Sequence, residues 1–465
     1  MTSLAIIGGG PGGYEAALVA ASLGADVTLI ERHGVGGNAV LTDVVPSKTV
    51  IATAEWLTIA DRAPQLGIRG EHGEATSGAG HHTVDLRAVN ARVSELVRKQ
   101  SGDITARLER SGVRIVHGHA RLDGADAVVV GEERVAAHNI LISVGARPRV
   151  VPGCEPDGKR ILTWTQLYGL DHLPTHLVVV GSGVTGAEFA GAYRTLGAEV
   201  TLISSGDRVL AREDPEAAEY VQHEFAGRGM TVIGGTRAAR VVNTGDGVRV
   251  TLTDGAVVEA SHCLMAVGSI PNTDGLGLES AGVGLTPQGF IEVDRVSRTN
   301  VRGIYAAGDC TGVLPLASVA AAQGRIAVAH ALGDGVAPIE LNTVATNVFT
   351  VPEIASVGAS EADLKRRGIF YEVSRLDLAR NPRAKMLGIE AGFVKIFGHT
   401  VTGQVLGAVV VGPRAGEHIF PLTLAVTHHL TVDDVASAFT VYPSLAGTIA
   451  EAARTLHRIT EREAR

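Results

Sequence analysis

The chain contains one pattern of apolar and polar positions twice. The stretch "LAIIGGGPGGYEAALVAASLGADVTLIER" occupies residues 4–32, and "LVVVGSGVTGAEFAGAYRTLGAEVTLISS" occupies residues 177–205. Each copy begins with a short apolar run, continues through a glycine-rich turn and an alanine-rich stretch, and ends with a second apolar run. This order predicts a strand, a turn, a helix and a second strand. The pattern therefore predicts two copies of one α/β unit.

Both copies have the spacing GxGxxG between the first strand and the helix. These glycines are Gly8, Gly10 and Gly13 in the first copy and Gly181, Gly183 and Gly186 in the second. The first glycine permits a tight turn, the second lets backbone N–H groups approach a pyrophosphate, and the third lets the helix pack against the strand. The N-terminus of the helix adds a partial positive charge. Two such units predict two dinucleotide sites, and FAD with NAD(P)H is the commonest combination.

The two copies differ at the end of the second strand. Glu31 ends it in the first copy, where a carboxylate can accept hydrogen bonds from a ribose diol. The second copy ends in Ser204 and Ser205 and lacks the acidic residue that is typical of NAD-specific sites. Arg208 and Arg212 follow, either as contacts for a 2′-phosphate or as solvated loop residues. We therefore expect both NADH and NADPH to be used.

The rest of the pattern predicts helices and hairpins. A helix is predicted over residues 84–110, after a loop at 70–82. In that loop His81 and His82 have no third ligand near them in sequence, so we interpret them as solvated residues rather than as a metal site. A hairpin with an Asp-Gly turn is predicted after the second copy. From Leu341 onwards, strands alternate with amphipathic helices without a glycine motif, which indicates a further domain.

Composition narrows the class of protein. The chain has 465 residues, a formal net charge of -8 and three cysteines that lie far apart, Cys154, Cys263 and Cys310. This length suggests about three domains. The negative charge argues against a nucleic-acid surface, and the sparse cysteines argue against a disulfide framework. The N-terminus lacks the features of a signal peptide, and residues 396–413 fit a hairpin better than a membrane span. We expect a cytoplasmic protein.

Further motifs carry a resemblance to a known family. They are "PSK" at 46–48, "ISVGARPRVVPG" at 142–153, "MAVGSIPNT" at 265–273 and "GIYAAGDCTG" at 303–312. With the two glycine motifs, they follow the order found in the flavoprotein disulfide reductases, which include lipoamide dehydrogenase and glutathione reductase. The chain resembles this family over essentially its whole length.

The resemblance implies an α/β fold with two Rossmann-like dinucleotide-binding domains and a C-terminal α+β dimerisation domain. The implied FAD-binding domain occupies residues 1–148 and continues, as a central second part, at 271–340. The NAD(P)H-binding domain lies between them at 149–270. Residues 341–465 form the interface domain of an implied homodimer.

Carried over by position, the resemblance implies two sets of cofactor contacts. The implied FAD contacts are Gly8, Gly10, Gly13, Glu31, Gly37, Asn38, Lys48, Ala120, Gly145, Asp309 and Ala317. The implied NAD(P)H contacts are Gly181, Gly183, Gly186, Glu188, Ser204, Arg208 and Gly268. Lys48 and Glu188 are expected to form a catalytic ion pair beside flavin N5, where a fixed positive charge stabilises a developing anion. No metal is implied.

The chain departs from the family at the residues that carry its sulfur chemistry. In the disulfide-reducing members the first motif reads GGxCxxxxCxPSK, and its two cysteines fall on Ala39 and Val44. The family's HPxxxE pattern reads "YPSLAG" here, which places Tyr442 at the acid–base histidine and Gly447 at the glutamate. Because that histidine and glutamate exchange protons for a thiolate, both departures indicate that no disulfide takes part.

A subgroup of the family, the actinobacterial NAD(P)H:quinone reductases, lacks the same cysteine pair and closely resembles this chain. The resemblance implies hydride transfer from NAD(P)H to FAD and then directly to a quinone, in a small apolar slot beside Ala39 and Val44. Tyr442 either protonates the quinol from the partner subunit or packs as part of the wall. Two alternatives stay open: a soluble NAD(P) transhydrogenase and a non-catalytic flavoprotein that senses NAD(P)H.

Overall fold

The structure is a computed structural model that describes residues 2–69 and 83–457. The predicted loop at 70–82, with His81 and His82, lies outside these residues. Within the described ranges, none of the helices combines the length and the apolar character that crossing a bilayer requires.

The first part of the chain, up to residue 148, forms a parallel α/β unit with a small antiparallel sheet. Its strands are β1 (Ser3–Ile7), β2 (Asp26–Glu31), β3 (Arg114–His117), β4 (Ala120–Leu122), β5 (Ala127–Val130), β6 (Glu133–Ala136), β7 (Asn139–Ile142) and β8 (Ala146–Pro148). Its helices are α1 (Pro11–Ser22), α2 (Gly37–Leu41), α3 (Val44–Ala60) and α4 (Leu86–Arg110). The helix predicted at 84–110 is thus present as α4.

The second part repeats this arrangement. Its strands are β9 (Ile161–Thr163), β10 (His176–Val180), β11 (Glu199–Ile203), β12 (Thr231–Ile233), β13 (Ala238–Asn243), β14 (Val248–Leu252), β15 (Val257–Ala260), β16 (His262–Met265) and β17 (Ser269–Pro271). Its helices are α5 (Val184–Leu196) and α6 (Pro215–Gly227). The predicted hairpin with the Asp-Gly turn is the antiparallel pair β14–β15.

The last part returns to the first unit and then builds a new one. Its strands are β18 (Ile304–Ala306), β19 (Thr346–Val348), β20 (Glu353–Gly358), β21 (Tyr371–Asp377), β22 (Phe393–His399) and β23 (Val405–Gly412). Its helices are α7 (Ala317–Ala331), α8 (Glu361–Arg366), α9 (Pro382–Met386), α10 (Ala415–His418), α11 (Phe420–Thr427), α12 (Val432–Ser437) and α13 (Gly447–Arg454).

The two predicted α/β repeats build equivalent parallel sheets. Among the described residues, the strand order is β18-β7-β1-β2-β3 in one sheet and β12-β11-β10-β16-β9 in the other. The first strand of each repeat, β1 or β10, lies at the centre of its sheet and is buried along most of its length. Burial on both faces explains why these strands are continuous apolar runs rather than alternating ones.

The third sheet is antiparallel, with the order β19-β20-β23-β22-β21. The hairpin predicted at 396–413 is its central pair, β22 and β23, and α11 and α13 cover this part of the molecule with apolar side chains. Two parallel dinucleotide-type sheets and a separate α+β unit confirm the predicted fold class.

A buried ion pair joins the third sheet to the second unit. Nζ of Lys395 on β22 lies 2.9 Å from Oδ1 of Asp214, which also caps the N-terminus of α6 by accepting hydrogen bonds from two backbone N–H groups. Only 8% of the Lys395 side chain and 6% of the Asp214 side chain are exposed. Removing one member of a buried pair leaves the other charge uncompensated.

Lys395→Met is therefore expected to lower the free energy of unfolding by about 3–5 kcal/mol. Urea denaturation followed by circular dichroism measures the change. The control is Lys365→Met, which removes an exposed pair with Glu361 on α8 and is expected to cost less than about 1 kcal/mol. Equal losses in the two variants would contradict the expectation.

Candidate functional site

A cavity of about 400 Å³ lies beyond the carboxyl ends of the strands in the first parallel sheet. The turn after β1, the start of α2, the end of β7 and the start of α7 all contribute to its wall. It falls within the usual size of a cofactor pocket and at the usual place in an open α/β sheet. The implied FAD residues that line it are Gly8, Gly10, Glu31, Gly37, Asn38, Ala120, Gly145, Asp309 and Ala317.

The glycine motif forms a turn that has no room for side chains. Gly8 has φ +103°, and a Cβ there would lie 2.2 Å from the Ser143 carbonyl oxygen. A Cβ on Gly13 would lie 1.8 Å from the Gly8 carbonyl oxygen, so Gly13 packs α1 against the turn and does not line the cavity. A Cβ on Gly186 would likewise lie 1.8 Å from the Gly181 carbonyl oxygen. The two predicted turns are therefore built alike.

Glu31 is held in place by backbone N–H groups. Its Oε2 accepts a hydrogen bond from Gly9 N at 2.6 Å, and its Oε1 accepts one from His33 N at 2.7 Å. The side chain is buried at the cavity wall, and a carboxylate has about four acceptor positions. The remaining positions are suited to the hydroxyl groups of a ribose.

Asp309 begins a one-turn 3₁₀ helix, Asp309–Thr311, and also lines the cavity. Burial, and to a lesser extent the neighbouring Asp43, raises the pKa of Asp309 to about 6. Ionising this buried carboxyl group therefore costs free energy when no ligand is bound. Such a cost is expected of a group that bonds to a polar ligand in the working protein.

This pKa predicts the stability of the flavin-free protein. The folded-state pKa of about 6 exceeds the ordinary 3.8, so the unfolded chain releases this proton first as the pH rises, and the wild type loses stability between about pH 4 and pH 6. Flavin-free Asp309→Asn is therefore expected to be more stable than flavin-free wild type at pH 8, by about 2–3 kcal/mol. Urea denaturation at pH 8 and pH 5 measures the difference in the free energy of unfolding between the two proteins. A difference that is not smaller at pH 5 would contradict the expectation.

Lys48 and Glu188 form an ion pair where three parts of the chain meet. Nζ of Lys48 on α3 lies 2.5 Å from Oε2 of Glu188 on α5, and only 3% of the Glu188 side chain is exposed. The other carboxylate oxygen accepts a hydrogen bond from Phe349 N at 2.9 Å. The Lys48 ammonium also lies 4.8 Å from the centroid of the Phe349 ring. Lys48 does not itself line the cavity, but Asp43 and Val44, one helical turn earlier, do.

The second glycine turn belongs to the other predicted nucleotide site. The Ser204 hydroxyl accepts a hydrogen bond from the Ser182 hydroxyl and donates one to the Arg208 carbonyl oxygen, so it fixes the turn and the following loop together. Nε of Arg208 is buried, and no acceptor among the described residues reaches it. Gly268, with φ +91°, precedes β17, which pairs with β8 and connects the two units.

The three thiols are buried away from this chemistry. Cys310 has none of its surface exposed, and burial raises its pKa to about 12. Burial also raises the pKa values of Cys154 and Cys263. Because the thiolate is the reactive form, burial makes all three thiols poorly reactive core residues.

Comparison with known proteins decides the family. Residues 2–324 match the family model described as pyridine nucleotide-disulphide oxidoreductase, and residues 344–453 match the dimerisation domain of the same family. The chain belongs to the pyridine nucleotide-disulphide oxidoreductase family. The predicted family is thereby confirmed.

Individual relatives match over nearly the whole chain. A relative from Mycobacterium tuberculosis, named NAD(P)H dehydrogenase (quinone), is 50% identical over 470 residues, which cover 98% of this chain and 94% of the relative. The dihydrolipoyl dehydrogenase of Bacillus subtilis is 33% identical over 460 residues, with 97% and 96% covered. The crystal structure of LpdA from Mycobacterium tuberculosis superimposes with a TM-score of 0.93 at 49% identity, covering 98% of this chain and all of that one.

Membership establishes the enzyme class and the cofactors. This family member is an FAD-dependent oxidoreductase that uses NAD(P)H. The residues present fit FAD, because the tight turn at Gly8, the acceptor carboxylate of Glu31 and the raised pKa of Asp309 lie around a single cavity.

Two site features differ from the sequence-based expectation. The slot beside Ala39 and Val44 is not wholly apolar, because Asp43 lines the cavity between them. The sequence signal for Asp43 is its place in the short segment between Ala39 and Val44. Asn272 and Asp274 also line the cavity, and both bond to Arg147, at 3.1 and 2.6 Å.

Tyr442 lies apart from the cavity of its own chain. Its side chain is 83% exposed and stands beside the exposed Phe439 and Val441 on the dimerisation domain. It does not line the cavity.

Proposed function

We propose that this protein is an NAD(P)H:quinone oxidoreductase that passes electrons from FAD directly to the acceptor, without a redox-active disulfide. The composition of the cavity wall carries the proposal. Ala39 and Val44 line the wall at the two positions where the family motif has cysteines, and neither side chain can form a disulfide or a thiolate. The relative that is 50% identical is named for quinone reduction.

FAD, when bound, would supply two-electron redox chemistry. Gly8 and Gly10 would leave the backbone open for its pyrophosphate, Glu31 would accept hydrogen bonds from the adenosine ribose, and Asp309 would contact the ribityl hydroxyls. Gly37, Asn38, Ala120, Gly145 and Ala317 complete the wall.

Lys48 and Glu188 contribute electrostatic catalysis. The Lys48 ammonium is held by the Glu188 carboxylate, which the Phe349 N–H group holds in turn. A fixed charge in a site with little water needs no reorganisation when negative charge develops on the cofactor. A protein that only senses NAD(P)H has little need of a fixed charge that assists hydride transfer. The ion pair of Lys48 and Glu188 therefore favours an enzyme.

The second glycine turn, at Gly181 and Gly183, binds the pyrophosphate of NADH or NADPH in this proposal. Ser204 serves mainly to fix the loop, since its hydroxyl bonds to Ser182, to the Arg208 carbonyl oxygen and to Gly206 N, all within the protein. The second strand of this unit ends without an acidic residue, and Arg208 follows it closely in sequence, which supports use of NADPH beside NADH.

The test is an anaerobic reductive titration followed by rapid mixing. NADPH is expected to bleach the flavin fully with two electrons per FAD and without a long-wavelength thiolate band, and menadione is expected to restore the colour rapidly. Alkylation with iodoacetamide is expected to leave turnover unchanged. Uptake of four electrons per FAD, or turnover with lipoamide, would contradict the proposal.

The same rapid-mixing method tests the alternative function, a soluble transhydrogenase. The absence of a residue that selects NADH over NADPH favours this alternative. The reduced protein is mixed with menadione in one arm and with a thionicotinamide analogue of NAD in the other. Faster reoxidation by the nicotinamide analogue would replace quinone reduction with transhydrogenation. Slow reoxidation by both acceptors would favour the sensor.

We further propose a cytoplasmic homodimer. The chain matches the family's dimerisation domain, and that domain exposes Phe420, Phe439, Val441 and Tyr442 on its surface. Association would remove these side chains from water, which is favourable at about 25 cal/mol per Å². Light scattering at micromolar concentration is expected to give twice the mass of the chain.

A further inference from the structure

We propose that the carboxyl group of Asp43 is the acid that protonates the acceptor ring in the cavity. This inference rests on the proposed function, because it concerns the proton that quinone reduction needs. It assigns a catalytic role to a residue that neither the glycine motifs nor the family motifs single out.

The position of Asp43 is the first observation. It lies between Ala39 and Val44 in sequence, and all three line the cavity where the acceptor is expected to bind. Its backbone is fixed, since its N–H group donates to the Asn38 carbonyl oxygen at 2.8 Å and its carbonyl oxygen accepts from Ser47 N at 2.7 Å. Asp43 is thus the only acidic residue between Ala39 and Val44, the positions of the two motif cysteines, and its backbone is held at the cavity wall.

The state of the carboxyl group is the second observation. Asp43 precedes the first turn of α3, where an aspartate side chain usually caps the helix, but it makes no such hydrogen bond. Within residues 2–69 and 83–457, no side chain or backbone group forms a hydrogen bond with it. A cavity-lining acid that has no structural partner is free to bond to a ligand.

The charged surroundings of Asp43 come from several elements. Lys48 on α3 favours the carboxylate, whereas Glu188 on α5 disfavours it, and Asp309 and the buried Tyr168 interact with the same group. Burial is the largest influence, and the pKa of Asp43 lies above its ordinary value. An apolar ring in the cavity displaces water and disfavours the charged form further.

The proton balance requires a group of this kind. Conversion of a quinone to a hydroquinone takes up one hydride, which carries both electrons, and one proton. In the proposed step the O–H bond of Asp43 breaks and a new O–H bond forms on the ring oxygen. The carboxylate then regains its proton from water. Tyr442 is a weaker candidate, because it does not line the cavity of its own chain and a tyrosine is a poor acid near neutral pH.

Asp43→Asn, Asp43→Glu and the control Asp61→Asn, at the far end of α3, test the role by rapid mixing. Asp43→Asn is expected to slow reoxidation by menadione about 10²-fold or more, while reduction by NADPH stays within about twofold of the wild type. The wild-type reoxidation rate is expected to fall as the pH rises above the Asp43 pKa, because the acid form is lost, and Asp43→Asn is expected to lose this dependence. Asp43→Glu keeps the acid and is expected to recover at least a tenth of the rate.

A second readout needs no turnover. Infrared difference spectroscopy of the oxidised holoenzyme is titrated across the same pH range. A contribution from Asp309, whose pKa is also raised, is expected to stay in every variant. The carbonyl stretch of protonated Asp43 is expected to be absent in Asp43→Asn and present in Asp61→Asn. Its midpoint is expected to match the pH profile of reoxidation.

The outcomes separate the two proposals. Wild-type reoxidation rates and an unchanged pH profile in Asp43→Asn would overturn the role of Asp43 and leave quinone reduction intact. Absence of the infrared band, or a midpoint that differs from the kinetic one, would also overturn it. If wild-type protein is reduced by NADPH but not reoxidised by menadione, the proposed function fails, and the role of Asp43 fails with it.

Discussion

Gly13→Ala is expected to yield protein without bound flavin, whereas Gly186→Ala is expected to yield yellow protein that NADPH does not reduce. The two substitutions add the same methyl group at equivalent places. In each, the new Cβ would lie 1.8 Å from the carbonyl oxygen of the first glycine of the motif, Gly8 or Gly181. Because a backbone oxygen cannot move away cheaply, the turn must open and its pyrophosphate site is lost.

Flavin absorbance per chain measures the first effect, and anaerobic bleaching by NADPH measures the second. Photoreduction of Gly186→Ala is expected to bleach its flavin normally, which separates a damaged nucleotide site from a damaged flavin. The control is Gly102→Ala on α4, where a Cβ meets no atom within 4 Å of the described structure. That change is expected to leave both readouts unchanged and to stabilise the helix by about 0.5–1 kcal/mol. A yellow Gly13→Ala protein would show that the first turn tolerates opening.

Lys48→Met is expected to slow flavin reduction by NADPH about 10²–10³-fold while FAD stays bound. The substitution keeps most of the side-chain volume but removes the charge, and it leaves the Glu188 carboxylate with only the Phe349 N–H group at its buried position. Rapid-mixing reduction of the flavin under anaerobic conditions measures the rate.

Three companion variants sharpen this result. Lys48→Arg keeps the charge and is expected to retain part of the rate, although its planar group does not reproduce the point contact of an ammonium. Lys99→Met, an exposed lysine on α4, is the control for loss of a charge alone. Combining Lys48→Met with Glu188→Gln is expected to cost less than the sum of the single changes, because the two groups act as a unit. Additive losses would argue against the pair.

The sequence predicted much of the fold because the relevant signals are local. A central strand buried on both faces requires a continuous apolar run, and a tight turn beneath a phosphate requires glycine, so each α/β unit could be recognised within about thirty residues. The repeat of the motif then predicted two equivalent sheets, and β1 and β10 lie at their centres. The loss of the cysteine pair was visible in the same way, because the motif fixes the positions of Ala39 and Val44.

Other features of the site depend on contacts that have no local signal. Asp43 became a candidate only when the cavity placed it beside Asp309, which is distant in sequence and shares its electrostatic environment. The buried pair of Lys395 and Asp214 was likewise not predicted, since each residue looks like an ordinary surface charge within its own segment.

The sequence by itself determined the repeated α/β units, the two glycine turns and the absence of the motif's cysteine pair, because short-range sterics and the period of apolar residues require particular residues at particular spacings. Only the tertiary structure decided which distant groups share one low-dielectric environment. Desolvation and charge–charge interactions act through space, so the ion pair of Lys48 with Glu188, the raised pKa of Asp309 and the unpartnered carboxyl of Asp43 arise when separate segments pack around one cavity.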